Sequence, residues 1–98
     1  HNGMPVIVRG ISSGQDAIQN ATKQAMQKLL SSDVSVRSVT AWFEIEESME
    51  FSDLTEAINI IEQHLEPDSD IVFGTTSDVK NTGTAKITIL AMTSRGIG

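Results

Sequence analysis

The hydrophobic pattern of this chain predicts an α+β fold, a two-layer α/β sandwich of a four-stranded mixed sheet with both helices on one face. Three observations predict it. Segments of period two alternate with segments of helical period, in the order β-α-β-α-β-β. About thirteen residues of helix separate successive strands, enough for crossover connections between parallel strands. Both crossovers are expected to be right-handed, which puts both helices on the same side of the sheet.

The first strand begins at Pro5, which has no N–H to donate, and runs through Val6, Ile7 and Val8 to Gly10. The first helix follows. Ile18, Ala21, Ala25 and Leu29 recur at spacings of three and four, and Ala17, Met26 and Leu30 widen the stripe. Ser13, with Asp16 three residues later, is the expected N-terminal cap, with Ser12 or Gly14 as alternative starts.

From Val34 the period changes to two. Val39, Ala41, Phe43 and Ile45 form one face of a second strand, and Thr40, Trp42, Glu44 and Glu46 the other. Ser52 then precedes a second helix with a stripe of Leu54, Ala57, Ile58, Ile61 and Leu65, and with Asp53 and Glu56 in the first turn, where the helix dipole favours anions. Pro67 pushes Glu66 out of the α region and is expected to stop this helix.

Ile71, Val72 and Phe73 form an unbroken apolar run, which predicts a central strand covered on both faces, and Gly74 marks a close approach to its backbone. The turn signal KNTG predicts a hairpin into the last strand. There Ala85, Ile87, Ile89 and Ala91 alternate with Lys86, Thr88, Leu90 and Met92. With the helices on the other side, Trp42, Leu90 and Met92 project from an uncovered face, a surface suited to another domain or chain.

Composition bounds the function. A chain of 98 residues builds one domain, 39% apolar residues with no long apolar run fit a soluble protein without membrane insertion, and the absence of cysteine fits the reducing cytoplasm. A net charge of −6 disfavours nucleic acid and anionic membranes. Having no cysteine, the chain has neither disulfides nor thiolate metal sites. His1, Asn2 and Gly3 precede Met4 and read as an expression-tag remnant, leaving residues 4–98 as a single domain.

Little in the sequence carries chemistry. Neither Gly10 to Gly14 nor Gly96 to Gly98 leads into a helix with a lysine at phosphate-loop spacing, so no nucleotide or other cofactor is expected in this chain. With His1 read as tag, His64 has no second histidine to form a metal pair, and the acids Glu44, Glu46, Glu47 and Glu50 lack calcium-loop spacing, so no metal is expected. Met49 and Phe51 read either as an exposed contact or as packing at the second helix's entry. Asp68, Asp70 and Asp78 read as turn formers before catalytic carboxylates.

Three segments give the chain a resemblance to a known family. GISSGQDAIQNATKQAMQKLLSS from Gly10, Leu54 through EPDSDIVFG, and TAKITILAM followed by RGIG resemble the C-terminal domain of the FtsZ/tubulin family, GTP-dependent cytoskeletal filaments of cell division. Each motif is loose, and their order and spacing over nearly the whole chain carry the resemblance. The chain departs from the family pattern at EIEESMEFSDL and AMTSRG, which leaves room for a divergent FtsZ-like paralogue.

What the resemblance implies is a polymerisation domain acting in septum formation. GTP would sit in an absent N-terminal domain of the parent, a GTPase whose site a neighbouring subunit completes. No catalytic residue falls in this chain. Glu47, Ser48, Met49, Phe51 and Asp53, entering the second helix, would face the longitudinal contact. The implied partners are the parent's own N-terminal domain, identical subunits and division regulators, at a mid-cell ring. The same strand order also serves chorismate-mutase-like oligomers, which keeps a small-molecule or enzymatic domain as the alternative, with Arg9, Arg37, Lys86 and Arg95 as anion binders. A stand-alone adaptor is the third reading.

Overall fold

A computed structural model of the chain describes residues 3–31, 35–46, 51–77 and 83–94. The elements are β1 (Gly3–Ser13), α1 (Ala17–Leu30), β2 (Ser35–Ile45), α2 (Phe51–Glu62), β3 (Asp70–Ser77) and β4 (Thr84–Ser94). They form the expected β-α-β-α-β-β sandwich, with a four-stranded mixed sheet in the order β1-β4-β2-β3. β4 runs antiparallel to both β1 and β2, while β2 and β3 are parallel.

β1 is longer than the sequence suggests, because Ile11, Ser12 and Ser13 continue to pair with β4. Ser13 is therefore not the helix cap. Its hydroxyl lies 3.0 Å from that of Thr84 across the ladder. The chain turns instead through Gly14, at φ 84°, and Asp16, at φ 57°, a left-handed conformation that Asp tolerates better than most residues. The Asp16 side chain makes no capping bond, and its carbonyl accepts the N–H of Asn20 at 2.9 Å.

α1 buries Ala17, Ile18, Ala21, Ala25, Met26 and Leu29 as expected, but Leu30 is 49% exposed. It lies about 100° further round the helix than Leu29, past the edge of the stripe. Thr22, by contrast, is fully buried, its hydroxyl donating to the Ile18 carbonyl at 2.8 Å. The small residues let α1 come close to β1: a Cβ on Gly10 would fall 1.9 Å from the Ala21 carbonyl oxygen.

Leu54, Ala57 and Ile61 of α2 join the α1 stripe and Val8, Val36, Val39, Ala41, Phe43, Ala85, Ile87, Ile89 and Ala91 of the sheet in one core. Burial of both Val36 and Val39 needs an odd step along β2, and a register shift at Arg37 supplies it. α2 itself stops at Glu62, four residues before the limit that Pro67 sets. Its last turn tightens, with His64 N–H donating to the Ile61 carbonyl and Leu65 N–H to that of Glu62. Pro67 then occupies the second position of a turn closed by Ser69 N–H on the Glu66 carbonyl at 3.0 Å.

Two expectations about the sheet are corrected. β3 is an edge strand, with Val72 62% and Phe73 46% exposed, and the central strands are β2 and β4. An apolar run specifies two apolar faces but not the number of neighbours, which is why the reading failed. Nor do β3 and β4 form a hairpin, since β4 lies between β1 and β2. Stepping over β2 spans about 10 Å. The six residues between Ser77 and Thr84, at about 3.3 Å each, reach that far.

Candidate functional site

The sheet face opposite the helices is built in cross-strand rows. Ile7, Leu90, Thr40 and Val72 make one row across β1, β4, β2 and β3, and Arg9, Thr88, Trp42 and Gly74 the next. Ile11, Lys86, Glu44 and Thr76 follow on one side, and Pro5, Met92, Ser38 and Asp70 on the other. The result is an apolar surface interrupted by threonines and by the opposed charges of Lys86 and Glu44. Ile7, Ile11, Trp42, Val72, Leu90 and Met92 are all exposed on it.

Trp42, Leu90 and Met92 thus lie together on the uncovered face, and Trp42 is 47% exposed. What limits its exposure is Gly74. A Cβ there would lie 2.9 Å from the indole ring, so the ring rests on bare backbone of β3. Ile7, Ile11 and Val72 belong to the same surface and were not singled out from the sequence. In β1 the signal was parity: Ile7 and Ile11 are out of phase with Val6, Val8 and the buried Gly10.

Of the residues entering α2, Glu47, Ser48 and Met49 and the side chain of Phe51 lie outside the described residues, as do Glu50, Asp78 and Arg95. Asp53 is half-buried in the first turn of α2. The amide nitrogen of Gln19, on α1, donates to Asp53 Oδ1 at 3.0 Å and to Glu56 Oε2 at 2.8 Å. One donor thereby holds two carboxylates spaced i, i+3 that would otherwise repel. Gln19 is 8% exposed and its Oε1 has no partner. Gln19 sits beside Ile18 at the border of the stripe, and acids in the first turn of α2 were the only sequence hint of its role.

At the same end of the sheet, Glu46 Oε2 accepts the Gly83 N–H at 3.2 Å, and the Gly83 carbonyl accepts the Gly14 N–H at 2.9 Å. Gly83 itself is at φ 72°. These bonds tie the ends of β1 and β2 to the start of β4, beside the point where the chain leaves for residues 47–50.

The candidate anion binders are scattered. Arg9 and Lys86 line a shallow concavity of about 390 Å³ with Gln24, Lys28 and Glu44. Arg37 lines another of about 550 Å³ together with Glu66, Asp68 and Asp70. Asp68 lies in the turn before β3 and Asp70 opens that strand, while His64 is exposed just beyond α2. Among the described residues no group of three or more His, Cys, Asp or Glu is arranged to hold a metal ion, and no helix is long and apolar enough to cross a membrane.

Similar proteins fit this architecture. The model of the FtsZ family, C-terminal domain, matches residues 3–95. An empty FtsZ dimer from M. jannaschii superposes with a TM-score of 0.80 at 18% identity, covering 90% of this chain and 26% of that one. A point mutant of FtsZ from M. jannaschii gives a TM-score of 0.79 at 18% identity, over 89% of this chain and 27% of that one. A search of curated protein sequences finds no match. The chain spans about a quarter of the length of these solved FtsZ chains. From the family match over nearly its whole length, the chain belongs to the FtsZ family, as its C-terminal domain.

Proposed function

We propose that this chain is the assembly domain of an FtsZ-like, GTP-dependent cytoskeletal protein of bacterial cell division, working in the cytoplasm at the septal ring. The family match carries this reading. GTP binding and hydrolysis belong to the parent's N-terminal domain, because this chain has no glycine-rich loop leading into a helix that could cradle a phosphate. Its own contribution is geometric.

Two surfaces divide that work. The face of Trp42, Leu90 and Met92 meets the remainder of the parent chain, since apolar side chains set among threonines and charges suit a surface that is wet alone and covered in the assembly. Glu47, Ser48, Met49, Phe51 and Asp53 form the edge of the longitudinal contact with the next subunit. The Gln19 clamp supports this edge by fixing Asp53 against α1.

The test uses the full-length protein and light scattering. GTP should raise scattering and GDP should not, and a double substitution of Met49→Lys and Phe51→Lys should abolish assembly while nucleotide binding persists. Unchanged assembly in that variant would remove these residues from the contact, and a parent without a GTP-binding domain would overturn the whole reading.

A further inference from the structure

The two edges of the sheet are treated differently. Along β1, α1 reaches over to block the edge: Gln24 Oε1 accepts the Ile11 N–H at 3.1 Å, and Lys28 Nζ donates to the Arg9 carbonyl at 2.8 Å. Both groups face away from β4 and would otherwise offer themselves to an incoming strand. Along β3, among the described residues, no side chain serves in this way. Nor does β3 carry the usual guards of an edge, having no proline, no lysine, no register shift against β2 and one charge, Asp70, at its first position. Val72 on the open face and Phe73 on the helix side are exposed apolar side chains, followed by the exposed but uncharged Thr75, Thr76 and Ser77.

We infer that the free edge of β3 pairs antiparallel with β3 of a second copy of this chain, joining two sheets into one. The strand's own pattern selects that occupant. A two-fold axis perpendicular to the sheet keeps the two open faces on the same side, so directly opposed residues share a face. Centring the pair on Phe73 sets Phe73 against the partner's Phe73, an aromatic cross-strand pair. Val72 then faces the partner's Gly74, beside the indole that rests on it, and Asp70 faces the partner's Thr76. No like charges meet along the ladder. Each copy gains main-chain partners for its edge, as in strand addition generally.

Sedimentation velocity and equilibrium of this chain, up to about 1 mM and in about 0.5 M salt to screen the repulsion of two acidic copies, test the pairing. A dimer is expected, with hydrogen-exchange protection of Ile71 to Ser77 rising with protein concentration. Phe73→Lys and, as a second variant on the same side of the strand, Thr75→Lys should each weaken the dimer at least about tenfold with unchanged circular dichroism. Ile7→Lys, on the open face at the far edge, should leave it intact. A wild-type monomer throughout would overturn the pairing. So would a dimer dissociated by Ile7→Lys but not by the β3 variants, which would place the contact on the open face. Neither outcome touches the family assignment or the GTP-dependent assembly of the parent.

Discussion

The two faces of the sheet are written with the same alternation and come to opposite ends. On the helix side Val39, Ala41, Phe43, Ala85, Ile87, Ile89 and Ala91 are buried without a charged residue among them. On the open side Trp42, Leu90, Met92, Ile7 and Val72 are larger on average and are separated by Thr40, Thr88, Arg9, Glu44 and Lys86. The first composition suits permanent burial in folding. The second suits a surface that meets water first and protein later, as in the cores and rims of interfaces. Identical periodicity thus yields a buried surface and an exposed one, told apart by what stands between the apolar residues.

The largest effect should come from the helix side. Phe43→Ala removes a fully buried ring and should cost about 3–5 kcal/mol in urea unfolding. Trp42→Ala, one residue along but on the other face, should cost well under half as much in the isolated chain. Equal costs would erase the distinction between the faces.

Gly10→Val comes next, at about 3 kcal/mol by the same measurement, because the added Cβ meets the Ala21 carbonyl of the packed helix. Gln19→Ala should cost about 1–2 kcal/mol by leaving Asp53 and Glu56 without their shared donor. Its deficit should shrink in high salt, where the repulsion of the two carboxylates is screened. The smallest effect is Gly74→Ala, under about 1 kcal/mol, since the new methyl meets only the far end of the Trp42 side chain. It should nonetheless shift the tryptophan emission, whereas Gly10→Ala should destabilise the chain without displacing the indole.

Much of the fold was legible because it rests on periodicity. The stripes of α1 and α2 and the alternation of β2 and β4 gave element order, the composition of the core and the side on which Trp42, Leu90 and Met92 stand. Strand neighbours were not legible. Ile71 to Phe73 read as central and lie at an edge, and the two strands read as a hairpin lie on either side of β2, because pairing is decided by which strand gains partners and not by local pattern. Local chemistry misled at Ser13, where a hydroxyl with two possible uses serves the ladder and not the helix. The Gln19 clamp was hidden for a related reason: its partners lie 34 and 37 residues away, and only the packing of α1 on α2 brings them within reach.

The central claim is that the open sheet face is covered in the whole protein, and residue-resolved hydroxyl-radical footprinting tests it most directly. Trp42, Leu90 and Met92 would be labelled in this chain alone, at a concentration below that of self-association, and in the full-length protein. Ile7 and Val72 would report the extent of the covered surface, and Phe73, on the opposite side of the sheet, would serve as the internal reference. The expected result is severalfold protection of Trp42, Leu90 and Met92 in the full-length protein with Phe73 labelled equally in both. Equal labelling of all three in the two proteins would contradict it, leaving an apolar face that the parent never covers.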